Sequence, residues 1–174
     1  MITLAIDPST KSTGWAIFDG KELKDYGCIT ASSTEVLKRI DKIVPELCKI
    51  VEKYKPLEVI VEEILPEDVK HNQKVFKALM YLQAEIALKF FLNYNLKLKF
   101  FTSSEWRKKC GIRTGRGIKR DSLKPADMAF VKKYYDLIVN DDVADAICIG
   151  YAYTNDPIPV TKETVTIIDG FEFK

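Results

Sequence analysis

Four acidic residues, far apart in the chain, occupy settings in which their side chains could do chemistry together. Asp7 closes the short apolar run ITLAID, and Glu62 closes the run Val-Ile-Val at 59–61. Asp142 and Asp145 lie three residues apart in Asn-Asp-Asp-Val-Ala-Asp-Ala-Ile-Cys-Ile-Gly-Tyr-Ala-Tyr, residues 140–153. That last stretch reads as the start of a nearly all-apolar helix, so a carboxylate at Asp145 needs a partner. Taken singly, each acid has a structural explanation. Asp7 could be a turn residue, Asp142 a first-turn acid favoured by the helix dipole, and Asn140 or Asp141 an N-cap. Taken together, four carboxylates in one crevice would repel one another, and a hard divalent cation removes that repulsion. Mg²⁺ or Mn²⁺ prefers carboxylate oxygens and keeps waters for a phosphate. Two such ions about 4 Å apart can activate a water and stabilise the leaving oxygen in phosphodiester hydrolysis. The expected partner of Asp145 is therefore a metal ion.

The cations are distributed in a way that suits such a substrate. The chain has 174 residues with 27 Lys and Arg against 25 Asp and Glu, a formal charge of only +2. Yet Arg107, Lys108, Lys109, Arg113, Arg116, Lys119, Arg120 and Lys124 fall within one segment that holds a single acid, Asp121. A basic segment beside an acidic pocket fits an enzyme that works on a polyanion through metal ions; standing alone, it would be a solvated loop. Cys28, Cys48, Cys110 and Cys148 are scattered without a Cys-x-x-Cys pair. They read as reduced packing thiols rather than a zinc or redox motif. The one histidine, His71, has no cysteine or histidine companion and reads as a surface residue at a helix entry. No apolar run approaches the roughly twenty residues of a membrane span, and the start lacks the features of a signal peptide. A cytoplasmic protein without a membrane segment is the expectation.

The elements that must position these acids can be sketched from periodicity. Residues 2–7, 14–18 and about 26–30 read as an antiparallel meander with a turn at Asp19-Gly20. Residues 34–54 carry apolar positions at helical spacing, with Pro45 expected to kink the helix or split it in two. The β-branched run LEVIVEEIL, residues 57–65, arrives after that helix and should pair parallel with the first strand. A long helix over 72–92, a strand over 96–101 and a short helix capped by Ser103 or Ser104 follow. Glycines then mark residues 111–117 as a mobile loop, before a helix over 121–135 that tolerates Pro125 near its first turn, and the closing helix. The order βββ–α–β–α–β–α–α predicts an α/β domain with a mixed five-stranded sheet, three antiparallel then parallel strands, flanked by helices. In a parallel pair the C-terminal ends of the first and fourth strands adjoin, so Asp7 and Glu62 would point into one crevice. If the last helix crosses that edge, Asp142 and Asp145 join them.

The stretches Ala-Ile-Asp-Pro-Ser-Thr-Lys-Ser-Thr-Gly-Trp-Ala-Ile (5–17), Val-Ile-Val-Glu-Glu (59–63) and Asp-Val-Ala-Asp-Ala (142–146) resemble, in order and spacing, the RuvC family of Holliday junction resolvases. The resemblance runs over about residues 1–153, and the shortened, basic style is similar to RuvC-like endonucleases carried by some phages. It implies an RNase H-like nuclease domain over 1–155 and a homodimer in which each subunit nicks one strand of a four-way DNA junction with Mg²⁺ or Mn²⁺. Carried over, the family's metal-binding acids fall on Asp7, Glu62, Asp142 and Asp145. Glu62 is taken over Glu63 because it closes the Val-Ile-Val run as the family's glutamate does; strand parity leaves the choice open. The family's lysines near the scissile phosphate fall on Lys108 or Lys109 and on Lys119. Arg107, Lys109, Arg113, Arg116, Arg120 and Lys124 then become candidate DNA contacts, with salt-sensitive binding. The outer face of the long helix becomes the dimer contact. Where the family often carries an aromatic shortly after its glutamate, this chain has Ile64-Leu65-Pro66, which points to other branched DNAs as further substrates.

Residues 156–174 differ in character, and alternation around Asp-Gly suggests a small β-hairpin. Three other classes compete. An RNase H acting on RNA–DNA hybrids shares the acids. An ATP-binding protein of the actin and sugar-kinase type shares the look of residues 7–14, but needs a second domain for which the chain lacks room, so no nucleotide cofactor is expected. A non-catalytic DNA-binding module would have no use for clustered acids facing phosphates.

Overall fold

The computed structural model describes residues 1–66, 72–115, 118 and 122–155. The elements run β1 (Ile2–Asp7), β2 (Ser12–Asp19), β3 (Glu22–Thr30), α1 (Val36–Tyr54), β4 (Glu58–Glu62), α2 (Gln73–Tyr94), β5 (Leu98–Phe101), α3 (Ser103–Lys109), α4 (Leu123–Tyr135) and α5 (Asp141–Asn155). The five strands form one sheet in the order β3-β2-β1-β4-β5. The first three are antiparallel neighbours, and β1 pairs parallel with β4 and β4 with β5. This is the mixed sheet expected from the sequence.

Strand alternation divides the core into two layers. Leu4 and Ile6 of β1, Ile17 of β2, and Val59 and Val61 of β4 pack with Ile43, Leu47, Leu82, Ile86 and Phe90 of α1 and α2. Ala5, Ala16, Phe18 and Ile60 face the other way, onto Trp106 of α3, Phe130 and Val131 of α4, and the run Val143–Ile149 of α5. The parity left open in the sequence follows from this. Glu62 stands two residues after Ile60 and Asp7 two after Ala5, so both acids project toward α5; Glu63, just past the end of β4, borders the cleft but does not join Asp7, Glu62 and Asp145 in their cluster.

Helix α5 is buried around most of its girth because it is sandwiched between the sheet and α3 and α4. Two glycines let it lie close. A Cβ on Gly14 of β2 would stand 1.9 Å from the backbone oxygen of Asp142, and one on Gly150 would stand 2.2 Å from the Phe18 ring. The small side chains of Ala5 and Ala16 complete the bed. A bulkier strand surface would lift the helix and carry its acids away from the strand ends.

The structure corrects the sequence reading in places. Pro45 neither ends nor divides α1, which is one helix from Val36 to Tyr54. Pro45 and Asp41, whose carbonyl loses its helical donor, are both exposed residues, so the freed carbonyl is not left in the core. The cap of α3 is Thr102, not Ser103 or Ser104: it forms a reciprocal capping box with Glu105. Three helices, counting the short α3, follow β5. His71, Arg116, Lys119, Arg120 and the 156–174 extension lie outside the described residues. Among the described residues no helix is long and apolar enough to cross a membrane.

Candidate metal-binding active site

Parallel pairing of β1 with β4 brings Asp7 and Glu62 to adjacent strand ends, and the close docking of α5 lays Asp145 against them. Asp7, Glu62 and Asp145 each offer an oxygen within 4.8 Å of the other two. Asp142, one turn earlier on α5, lines the same cleft of about 480 Å³ with Pro8, Ser9, Glu63, Arg107 and Lys124. Its carboxylate accepts a short hydrogen bond from the Ser12 hydroxyl, which also lies 3.0 Å from the Cys28 sulfur. All four acids singled out in the sequence thus border one cleft, with three in mutual contact range and Asp142 held to one side by β2.

The acids are in a condition that calls for a cation. Burial raises the pKa of Asp7 well above the ordinary carboxylate range, and the charges of Glu62 and Asp142 push it further, with Lys124 opposing. Burial likewise pushes Asp145 up to about 9, reinforced by Asp7 and Asp127 and opposed by Arg107. The Oδ1 of Asp145 is buried without a hydrogen-bond partner. A buried, unpartnered carboxylate oxygen beside two further carboxylates fits a hard divalent ion, which supplies both the missing partner and the opposing charge. Oxygen donors alone, without thiolate or imidazole, suit Mg²⁺ or Mn²⁺ better than zinc.

Side chains not singled out by their sequence setting hold the site in shape. The buried Gln83 of α2 donates its amide N–H to the backbone carbonyl of Glu62 at 2.7 Å, and the Glu63 N–H donates to the Phe101 carbonyl at 2.7 Å. Together they fix the end of β4. On α1, buried Arg39 donates to the carbonyls of Thr10 and Ser33 and so pins the loop that follows Asp7.

The cations of the basic segment separate into different environments. Lys124 is exposed, borders the cleft, and forms a short ion pair with Asp141. Lys108 and Arg113 are exposed, and Lys109 is half-buried with its ammonium 5.8 Å from the Phe101 ring centre. Arg107, grouped in the sequence with the DNA-contacting cations, is 8% exposed, and its guanidinium donates three hydrogen bonds of 2.8–3.1 Å to the fully buried Asp127. A signal for that pair was present: Asp127 precedes Phe130 and Val131 by three and four residues, which puts it on the buried face of α4.

The sheet order, the carboxylate cluster at the ends of β1 and β4, and the helix that brings further acids across them form an α/β domain with a site able to hold divalent ions. Comparison with known proteins narrows the class. Residues 3–153 match the family described as "Crossover junction endodeoxyribonuclease RuvC". The chain is 30% identical over 162 residues to the protein of that description from Brachyspira hyodysenteriae, covering 89% of this chain and 94% of the relative. It is 28% identical over 159 residues to that from Finegoldia magna, covering 88% and 92%. Among solved structures, Thermus thermophilus RuvC in complex with Holliday junction substrate superposes with a TM-score of 0.68 at 14% identity, covering 88% of this chain and 92% of that one. The Fowlpox virus resolvase with Holliday junction DNA gives 0.53 at 18% identity, over 91% of this chain and 100% of that one. The structural likenesses carry the fold; the profile match and the sequence relatives carry the family. This chain belongs to the RuvC family.

Proposed function

We propose that this protein is a structure-selective endonuclease that hydrolyses phosphodiester bonds at four-way DNA junctions and at related branched DNAs. The observation that carries the proposal is the convergence of Asp7, Glu62 and Asp145 to within 4.8 Å, with the Asp145 Oδ1 buried and unpartnered. These three residues, with Asp142 beside them, would hold Mg²⁺ or Mn²⁺. When bound, such ions supply a nucleophile from water and stabilise the leaving oxygen of an in-line displacement.

The chain's own groups account for the rest. Lys124 stands at the cleft mouth with its pKa raised by the Asp141 hydrogen bond, so it stays charged and can meet a phosphate oxygen near the acids. Lys108, with Lys109 and Arg113, would take flanking phosphates; Lys119, Arg116 and Arg120 belong to the same intervening segment and would extend that track. Ser12 fixes Asp142, and Gln83 fixes Glu62, so the ligands are held before any ion arrives.

A homodimer fits paired incision, since two sites related by a two-fold axis cut strands of like polarity symmetrically. Helix α2 presents Tyr81, Leu88, Phe91 and Leu92 to solvent, and a cleft of about 850 Å³ between α1 and α2 opens on the same side. That face is the proposed dimer contact. Junction processing places the protein with DNA in the cytoplasm of a bacterium or of a phage-infected cell.

The deciding experiment incubates the protein with labelled four-way junctions, flaps, RNA–DNA hybrids and plain duplex, with and without Mg²⁺. Junction cutting that needs the metal and leaves duplex intact is the expected result. Preferential cutting of hybrids would replace this proposal with a ribonuclease.

A further inference from the structure

We infer that Arg107 is a positioning residue for the metal site: the Arg107–Asp127 pair occupies one oxygen of Asp145 and leaves only the other for an ion. This rests on the nuclease proposal above, in which Asp145 is a metal ligand. Arg107 opens a cationic run, Arg107-Lys108-Lys109, yet it is turned inward. Its Nε donates to both carboxylate oxygens of Asp127 at 3.1 and 3.0 Å and its Nη2 to Asp127 Oδ2 at 2.8 Å. The same Nη2 lies 3.4 Å from Asp145 Oδ2. The guanidinium also rests 4.0 Å from the ring centre of the buried Trp106. Such an arginine has little freedom to swing out to a phosphate.

Its charge is not spare either. Asp127 is fully buried and returns one negative charge to the guanidinium, so the pair acts on Asp145 as a nearly neutral donor of one N–H. An unpaired arginine there would repel an incoming divalent ion. A neutral donor does not, and it still fixes the carboxylate's rotation. The result is visible in the two oxygens of Asp145: Oδ2 faces Arg107, and Oδ1 is buried with no partner. A carboxylate restricted to one oxygen suits the small octahedral ions Mg²⁺ and Mn²⁺. Ca²⁺ gains more from carboxylates that can offer both oxygens. The pair therefore contributes to the choice of ion as well as to affinity.

The test uses the full chain and ions alone, so it reads the site without DNA cutting. Mn²⁺ and Ca²⁺ affinities are measured by calorimetry, with Mn²⁺ electron paramagnetic resonance as a second readout, for wild type, Arg107→Lys and Asp127→Asn. Junction binding in EDTA and thermal unfolding are followed in parallel. Loss of a residue that orients a ligand weakens metal binding by about 10–100-fold. Both variants should lose Mn²⁺ affinity in that range, keep more of their Ca²⁺ affinity, and bind junctions in EDTA as wild type does. Proportional loss of both ions would show that Arg107 merely supports the fold, and weakened junction binding with unchanged Mn²⁺ affinity would make it a phosphate contact; either overturns the inference. If neither variant folds, wild type alone decides: the Arg107 Nε–H resonance should shift as Mg²⁺ is titrated, and a resonance that stays still overturns the inference. Wild type that binds no Mn²⁺ at all would instead sink the nuclease proposal itself.

Discussion

Asp145 sits where burial and function pull its charge in opposite directions. With no ion bound, its pKa is pushed up to about 9 by burial and by the charges of Asp7 and Asp127, and Asp7 is raised for similar reasons. A raised carboxylate pKa means that the folded chain holds protons which the unfolded chain releases once the pH passes the ordinary carboxylate range. Metal-free protein should therefore lose stability as pH rises from about 5 toward 9, and a divalent ion should restore more of it at the alkaline end. Thermal unfolding in EDTA and in Mg²⁺ across that window checks this; Asp145→Asn should flatten the EDTA curve, and a wild-type curve that is already flat would contradict the assignment. Asp7→Asn tests the site by a different route. It removes a charge that repels phosphate and a ligand that holds the ion. Junction binding in EDTA should be kept or strengthened, while cutting falls by at least the roughly 10²–10³-fold seen when one charge-stabilising group is lost. Unchanged cutting would remove Asp7 from the mechanism.

Helix α5 carries two of the four acids, so its seating on the sheet decides whether a site exists. Gly14 and Gly150 both permit that seating, but different atoms oppose a methyl group at each. At Gly150 the obstacle is the Phe18 ring, at 2.2 Å, with the Ala5 methyl at 3.2 Å; at Gly14 it is the backbone of Asp142 itself. Gly150→Ala should cost about 1–3 kcal/mol through overpacking, read as a drop in melting temperature, with metal affinity largely kept. Gly14→Ala should push the first turn of α5 outward, so loss of Mn²⁺ binding should exceed what the stability change explains. Equal effects from the two substitutions would mean that α5 responds as a rigid unit. The four acids and the strand pairing that gathers them were legible in the sequence, because each acid closed or interrupted a run whose periodicity is strong. The glycine in Ser-Thr-Gly-Trp was visible as part of a motif, but its reason was not, since it depends on a contact with a helix 128 residues later. Arg107 was misplaced for a similar reason: a run of cations reads as a surface, and the helical spacing that marks Asp127 as buried does not say which cation it draws inward. The split expected at Pro45 did not occur because its cost depends on whether the freed carbonyl is exposed, which a one-dimensional pattern does not carry.

At the scale of the whole molecule the sheet separates two tasks: on one side the acids gather between the ends of β1 and β4 and α5, and on the other α2 presents exposed apolar side chains. The exposed cations Lys108, Arg113 and Lys124 lie on or beside the acid-bearing layer. If each neutralises one phosphate, Arg113→Ala should lower the slope of log binding constant against log salt by about one and weaken all DNA forms alike. An unchanged slope would remove Arg113 from the interface. The opposite layer reaches the site through Gln83 of α2, bonded to the Glu62 carbonyl, and Arg39 of α1, bonded to the Thr10 carbonyl, so the outer face of α2 can be altered without touching a ligand. Leu88 on α2 is 52% exposed and makes a suitable probe. Leu88→Glu keeps helix propensity and places a charge that cannot be buried between two copies without a partner. If the proposed dimer forms through this face, wild type should sediment as a dimer at micromolar concentration and the variant as a monomer that binds Mn²⁺ as wild type does. On four-way junctions its products should change from paired cuts to single nicks, because each monomer carries a complete set of acids but no partner to cut the opposing strand. A Leu88→Glu protein that remains dimeric and still makes paired cuts would place the interface elsewhere on the molecule.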